Sequence, residues 1–198
     1  MKERPWMICG TGPTFFAPDP AEFRICALNR AILHLPSAEV CAISHIETLL
    51  DISHVLDERA ETLLMGDPML NKGGPRERVS ELLKRGRLPV KRDRIITSSR
   101  THGYPNGRKD LLGKPLGMGL CHERTVATLA ISYLVQAYDI KRIGTCGVDG
   151  GTENHALFKE SYAAIPREGL AIKYDQCRAA VELICEVLDV KWWQMGRE

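Results

Sequence analysis

Hydrophobic residues in this chain form short continuous runs, and longer stretches with helical spacing separate them. A continuous apolar run of roughly four to eight residues between turn signals is typical of a buried β-strand. Such runs predict strands at residues 5–9, 23–28, 39–43, 61–65, 95–96, 141–149 and 190–193. Apolar residues at helical spacing predict helices at residues 31–35, 46–59, 79–84, 123–137 and 174–188.

Strands that alternate with helices are typical of an α/β fold, in which a mainly parallel sheet lies between two helical layers. We therefore predict one Rossmann-like, three-layer domain over residues 1–198. Parallel sheets bind ligands beyond the carboxyl ends of their strands, so we predict the binding rim there. Small and polar residues follow these strand ends, at residues 10–14, 29–30, 44–45, 66–67 and 149–154.

The first predicted strand runs directly into a turn of small residues, GTGPT at positions 10–14. Glycine has no Cβ, so backbone N–H groups in such a turn approach an anion closely and favour phosphate binding. A dinucleotide fingerprint is excluded because Phe15 replaces the third glycine and the second strand ends at Asn29, which is not acidic. No Walker lysine–hydroxyl pair follows the turn, which disfavours a P-loop ATPase. The turn therefore predicts a nucleotide or phosphate site of another kind.

Positive charge is concentrated in one segment, residues 71–119, which interrupts the alternation of strands and helices. Between positions 72 and 110 there are twelve Lys and Arg against four Asp and Glu, although the whole chain carries a net charge of only +2. The clustered basic side chains are Arg76, Arg78, Lys84, Arg85, Arg87, Lys91, Arg92, Arg94, Arg100, Arg108 and Lys109.

This basic, partly irregular insertion has three interpretations. It is a solvated arm, a lid that closes over phosphate on glycine hinges between positions 103 and 119, or a nucleic-acid-binding surface. Tyr104 is the aromatic residue that interleaves with the basic side chains, so the segment gives little support to base stacking and leaves contact with a duplex backbone open.

Composition indicates a soluble cytoplasmic protein and gives little support to a metal site. Apolar residues make up 44% of the chain, yet no run is long enough to span a bilayer, and no signal-peptide pattern is present. The seven cysteines form no CxxC pair, which favours buried reduced thiols over disulfides or a zinc site. The consecutive Trp192 and Trp193 either pack internally or form a dimer contact, so homo-oligomerisation stays open.

Three candidate catalytic residues, Asp149, Glu153 and His155, lie close together after the sixth predicted strand. A histidine or a carboxylate can act as the general base on an acceptor hydroxyl. The basic insertion could neutralise a departing phosphate by closing over it. Asp149 is equally well explained as a turn or cap residue. His45, at the end of the third predicted strand, is a further site candidate.

Three motifs resemble a known set of bacterial proteins: ICGTGPT at positions 8–14, LNR at 28–30 and TCGVD at 145–149. They are similar to the small sialyltransferases with a single Rossmann-like domain and to the related hydroxymethylpterin diphosphokinase-like family linked to motility-accessory proteins. In these families the first strand opens into a G-x-G-P-S/T turn, the second ends in asparagine, and a later strand ends in G-hydrophobic-D. The resemblance covers residues 6–45 and 120–153.

The resemblance implies a metal-independent enzyme that binds a nucleotide-activated donor, a CMP- or UDP-sugar, around the first turn. Together with the polar strand ends, the implied nucleotide-binding set is Gly10, Thr11, Gly12, Pro13, Thr14, Asn29, Arg30, Ser44, His45, Thr125 and Gly147. The sequence departs from the family at the catalytic histidine, which is expected shortly before the last helix. Residues 165–170 contain no histidine, and the nearest one is His155.

These observations predict a glycosyltransferase that uses a nucleotide-activated sugar and resembles sialyltransferases. One alternative is a DNA-modifying glycosyltransferase that acts on a modified base, with the basic insertion on the duplex. The other is a nucleotide-binding protein without catalysis.

Overall fold

The computed structural model describes residues 4–43, 45–66, 85, 95–98, 125–149, 155–158 and 170–196. The helix predicted at 79–84 lies outside these residues, as do Ser44, Glu153 and all of the basic cluster except Arg85. The interpretation of the basic insertion therefore stays a prediction.

The described residues form a seven-stranded sheet with three α-helices and two short 3₁₀ helices. The strands are β1 Trp6–Cys9, β2 Arg24–Leu28, β3 Ala38–Ile43, β4 Ala60–Gly66, β5 Ile95–Ser98, β6 Arg142–Cys146 and β7 Lys191–Gln194. The α-helices are α1 Ile46–Arg59, α2 Val126–Tyr138 and α3 Leu170–Val187. The 3₁₀ helices are Asn29–His34 and Ala156–Phe158.

The strand order is β5-β4-β3-β2-β1-β6-β7, and every neighbouring pair is parallel. This confirms the predicted Rossmann-like α/β fold. The chain builds the sheet outward from β1 through β5 and then returns to the other side of β1 with β6. The strand order therefore reverses beside β1, and ligands of parallel sheets commonly bind at the carboxyl edge near such a reversal. The register pairs Cys9 with Cys146, so the turns after β1 and β6 start side by side.

Two hydrophobic layers cover the sheet, as the three-layer prediction requires. Side chains alternate along a strand, so Met7 and Cys9 contact the layer that contains α1, whereas Trp6 and Ile8 contact the layer that contains α2. Burial on both faces explains why the strands read as continuous apolar runs in the sequence. None of the helices in the described ranges combines the length and hydrophobicity that a membrane span needs.

The sixth strand is shorter than its apolar run predicts. It ends at Cys146 rather than at residue 149, because Gly147 takes a φ of +64° and leaves the ladder. The last strand is shifted in the opposite sense, since β7 runs from Lys191 to Gln194 and not from 190 to 193. These two boundaries decide which side chains meet at the carboxyl edge.

The cysteines of the described residues confirm the prediction of buried reduced thiols. Cys9, Cys26, Cys41, Cys146 and Cys185 are free and buried. Burial raises the pKa of Cys41 to about 12, and burial likewise raises the pKa of Cys185 to about 12. In the folded protein the thiols of Cys41 and Cys185 therefore remain protonated at a pH where they ionise in the unfolded chain.

Alkaline pH should destabilise the fold through these thiols. The folded-state pKa of Cys41 lies above the unfolded value of about 8.5, so its contribution to stability is complete below about pH 8.5 and is lost as the pH rises toward 12. Urea denaturation at about pH 8 and about pH 10 should show a lower unfolding free energy at the higher pH. The Cys41→Ala variant should lose less unfolding free energy than the wild type between these two pH values. An equal loss in both proteins would contradict the raised pKa of Cys41.

Candidate functional site

The turns after β1 and β6 pack directly against each other, backbone to backbone. The Gly10 N–H donates to the Cys146 carbonyl at 2.8 Å, and the Gly12 N–H donates to the Gly147 carbonyl at 2.8 Å. A Cβ on Gly10 would lie 2.3 Å from the Gly147 carbonyl oxygen. A Cβ on Gly147 would lie 2.5 Å from the Gly10 carbonyl oxygen. Glycine is therefore required at these positions for the contact between the turns.

Asp149 is the acceptor that ties the two turns together. The Thr14 N–H donates to Asp149 Oδ2 at 2.9 Å, and both the Thr14 hydroxyl and the Gln194 side-chain amide donate to Asp149 Oδ1. The Thr14 hydroxyl oxygen also accepts the Gly147 N–H at 2.9 Å. We call Thr14, Gly147, Asp149 and Gln194 the Asp149 network. It joins the ends of β1, β6 and β7 at the carboxyl edge of the sheet.

The carboxylate of Asp149 also explains why the second glycine of the first turn, Gly12, leaves no room for a side chain. A Cβ on Gly12 would lie 2.4 Å from Asp149 Oδ2, so the carboxylate occupies the space of that side chain. Asp149 is 7% exposed, and both of its carboxylate oxygens accept hydrogen bonds from protein donors. This geometry favours a role in fixing the turns, and direct catalysis by Asp149 stays a prediction.

Three amides of the first turn already donate hydrogen bonds within the protein. Those of Gly10, Gly12 and Thr14 donate to Cys146, Gly147 and Asp149 in the contacts above. These three N–H groups are therefore not free to surround a phosphate in this conformation. A contribution of residues 10–14 to nucleotide binding stays a prediction.

His155 lies beside the first turn. The backbone N–H of His155 donates to the Thr11 carbonyl at 2.9 Å. The centroid of its ring lies 5.8 Å from that of the Phe15 ring, at an interplanar angle of 64°. His155 Nδ1 accepts the Leu157 N–H at 3.3 Å. The ring is partly exposed, so its Nε2 is the nitrogen available for other partners.

The remaining predicted binding residues that the structure describes lie at the same edge, where β2 and β3 end and where α2 begins. Asn29 starts the first 3₁₀ helix with a φ of 52°, and Arg30 forms an ion pair with Asp51 of α1. His45 is the N-cap residue of α1. Thr125 is the N-cap residue of α2, and its hydroxyl accepts the Ala127 N–H at 3.3 Å. Their roles toward a nucleotide stay predictions.

Sequence reasoning missed Gln194 and the structural role of Thr14. Gln194 follows the predicted end of the last strand by one residue, and nothing in its neighbourhood marks it as a partner of Asp149. Trp193, the residue before it, packs against Gly144 of β6, where an added Cβ would lie 2.9 Å from the Trp193 ring. Recognising Gln194 needs the register of β7 against β6, which pairs it with Thr145.

The geometry shows no metal-binding group in the ranges that are described. No three His, Cys, Asp or Glu side chains there are placed to hold an ion together. The oxygens of Asp149 accept protein donors, and Nδ1 of His155 accepts a backbone N–H.

A separate cavity of about 680 Å³ lies at the amino edge of the sheet, where β2, β3 and β4 begin. Its wall includes Arg24, whose guanidinium donates to both oxygens of the Glu39 carboxylate at 2.6–3.0 Å. This edge is opposite to the carboxyl ends of the strands, so the cavity is not part of the predicted site.

No family model matches the sequence, and no curated protein matches it. A solved structure does resemble it: the sialyltransferase CstII from Campylobacter jejuni in complex with a substrate analogue, CMP-3FNeuAc. The match has a TM-score of 0.51 at 13% sequence identity and covers 98% of this chain and 82% of that chain. Likeness at this identity shows a shared fold, so the structure is similar to a sialyltransferase in its Rossmann-like architecture.

Proposed function

We propose that this protein is a glycosyltransferase that uses a nucleotide-activated sugar, with a CMP-sugar as the first candidate donor. The observation that carries the proposal is the meeting of the β1 turn, the β6 turn and His155 at the point where the strand order reverses. Its support from outside the chain is the shared fold with a sialyltransferase whose structure holds a CMP-sugar analogue.

The proposed reaction transfers the sugar from the nucleotide phosphate to an acceptor hydroxyl. The acceptor oxygen forms a bond to the anomeric carbon while the bond from that carbon to the phosphate oxygen breaks. The acceptor hydroxyl gives its proton to a base, and the nucleotide leaves with the electron pair of the broken bond. The protein must therefore position two oxygens and manage one proton.

His155 is the proposed acid–base residue. Its Nδ1 accepts the Leu157 N–H, so the neutral ring carries its proton on Nε2. In that state the ring donates a hydrogen bond, which suits an oxygen of the departing phosphate. It acts as the base on the acceptor hydroxyl in the other tautomer, in which Nδ1 carries the ring proton and no longer accepts from Leu157, and Nε2 takes the hydroxyl proton. Glu153, outside the described residues, is the alternative base.

The other predicted residues keep their proposed places around the donor. In this proposal residues 10–14 and Gly147 form the floor of the site. Asn29, Arg30 and His45 lie where the neighbouring strands end. Thr125 lies at the start of α2, and Ser44 belongs to the same set outside the described residues. Binding of a DNA duplex by the basic insertion rests on the charge of the sequence alone.

A thermal-shift panel with CMP-, UDP- and GDP-sugars tests the proposal. A donor at about 100 times its Kd should stabilise the fold by about 2.7 kcal/mol and raise the Tm by about 8 °C. The free sugar without nucleotide serves as the control. Consumption of the donor, followed as released nucleotide, separates a transferase from a non-catalytic binder. Stabilisation without consumption would support the binder, and no stabilisation by any nucleotide would contradict the nucleotide site.

A further inference from the structure

We propose that Gln194 is a positioning residue of the candidate site, which acts through Asp149 on the glycine turn after β1. The catalytic part of this inference rests on the proposed function, whereas the coupling between the two side chains does not. Gln194 belongs to β7, an outer strand of the sheet, and no role was expected for it from the sequence.

The first argument is the direction of the Gln194 amide. Its Nε2 donates to Asp149 Oδ1 and lies 3.5 Å from the Thr14 hydroxyl oxygen. Its Oε1 is buried and has no hydrogen-bond partner among the residues that the structure describes, an unusual state for a buried acceptor. An unpaired buried acceptor costs free energy. The hydrogen bond from the amide N–H group to the Asp149 carboxylate offsets this cost and therefore fixes the orientation of the Gln194 amide.

The second argument is what Asp149 holds in turn. Its oxygens accept the N–H and the hydroxyl of Thr14, and they fill the space beside Gly12. The Thr11 carbonyl in the same turn accepts the His155 N–H. A shift of Asp149 is thus transmitted through residues 11–14 to His155. Catalytic groups must be held to a fraction of an ångström, so Gln194 influences the reaction without touching a substrate.

The third argument is the attachment of Gln194 to the sheet. The next residue, Met195, donates its N–H to the Thr145 carbonyl at 2.9 Å. The Thr145 hydroxyl donates to the Trp193 carbonyl at 3.4 Å. These contacts on both sides hold Gln194 against β6, so its side chain reaches Asp149 from a rigid strand.

Exchange of donor and acceptor between the two residues tests the inference. Gln194→Glu places two carboxylates together, and Asp149→Asn leaves one oxygen for donors that now use two, so the new NH2 group faces either the Thr14 N–H or the Gln194 amide. The double variant D149N/Q194E restores a complementary pair, because the new amide at position 149 can donate to the new carboxylate at position 194 while the amide oxygen accepts the Thr14 N–H. Gln136→Glu, on the exposed surface of α2, is the matched control for the glutamine substitution.

Each single variant should lower kcat for donor consumption by about 100-fold with a smaller change in KM, and the double variant should recover at least about tenfold. Backbone amide chemical shifts of Gly12, Thr14 and His155 should move in each single variant and return toward wild type in the double variant. A double variant no better than the worse single variant, in kcat or in these shifts, would overturn the inference. If the wild-type chain consumes no nucleotide sugar, the proposed function fails, and the chemical shifts alone decide whether Gln194 positions the turn.

Discussion

The Gly10→Ala variant is expected to lose about 3 kcal/mol of unfolding free energy, a large part of the stability of a domain this size. The added Cβ would lie 2.3 Å from the Gly147 carbonyl oxygen and 2.9 Å from its carbonyl carbon. Both atoms belong to the backbone, so no side-chain rotation relieves the clash. The two turns would have to separate, and the hydrogen bond from the Gly12 N–H to the Gly147 carbonyl would be lost with them.

Urea denaturation followed by circular dichroism measures this loss. Pro13→Ala is the control in the same turn, because Pro13 is exposed, and its change should stay within about 1 kcal/mol. A Gly10→Ala protein as stable as the wild type would mean that the turns relax apart at little cost. In that case the glycines would have to be explained by a ligand instead of by packing.

Removing the imidazole of His155 should lower the turnover of the nucleotide sugar by about 100-fold or more, because that is the usual contribution of one acid–base group. The fold should be nearly unaffected, because the backbone N–H of residue 155 still donates to the Thr11 carbonyl after substitution by alanine. Initial rates of nucleotide release at saturating donor measure the effect in the His155→Ala variant.

His54→Ala is the matched control for this measurement. His54 is exposed on α1, and its loss should leave turnover unchanged. A His155→Ala protein with wild-type turnover would remove His155 from the mechanism and transfer the role of base to Glu153. Loss of turnover in both variants would point to a nonspecific effect on the fold.

The fold was predictable because a parallel sheet buried on both faces leaves a strong signal in the sequence. Residues 6–9 and 24–28 are nearly continuous apolar runs, and α1 was predicted with the bounds that the structure shows, Ile46–Arg59. The error at β6 has a local cause. The apolar pattern continues through Val148 and therefore predicts a longer strand. The positive φ of Gly147 ends the pairing at Cys146, two residues before Val148, and a hydrophobicity pattern carries no information on that backbone angle.

The meeting of the turns after β1 and β6 was also predictable, whereas the hydrogen bonds between them were not. Strand ends mark the carboxyl edge of the sheet, so the turn at 10–14 and the segment at 149–155 could be assigned to one region. Glycine at positions 10 and 12 predicted a close approach, but the sequence could not distinguish a ligand from the backbone of Gly147 as the neighbour. Which side chain donates to Asp149 depends on the register of β7, and therefore on three-dimensional packing.

The direct pairing of the turns after β1 and β6 has a consequence for the path of a substrate. Hydrogen bonds from Gly10 and Gly12 extend the contact between these strands beyond their last paired residues, so the seam between them is closed. His155 and Phe15 pack above it next to Phe158, which in turn contacts His34 after β2. We therefore expect a sugar donor to enter the site over the ends of β2 and β3. We also expect the contact between the turns after β1 and β6 to stay intact when the donor is released.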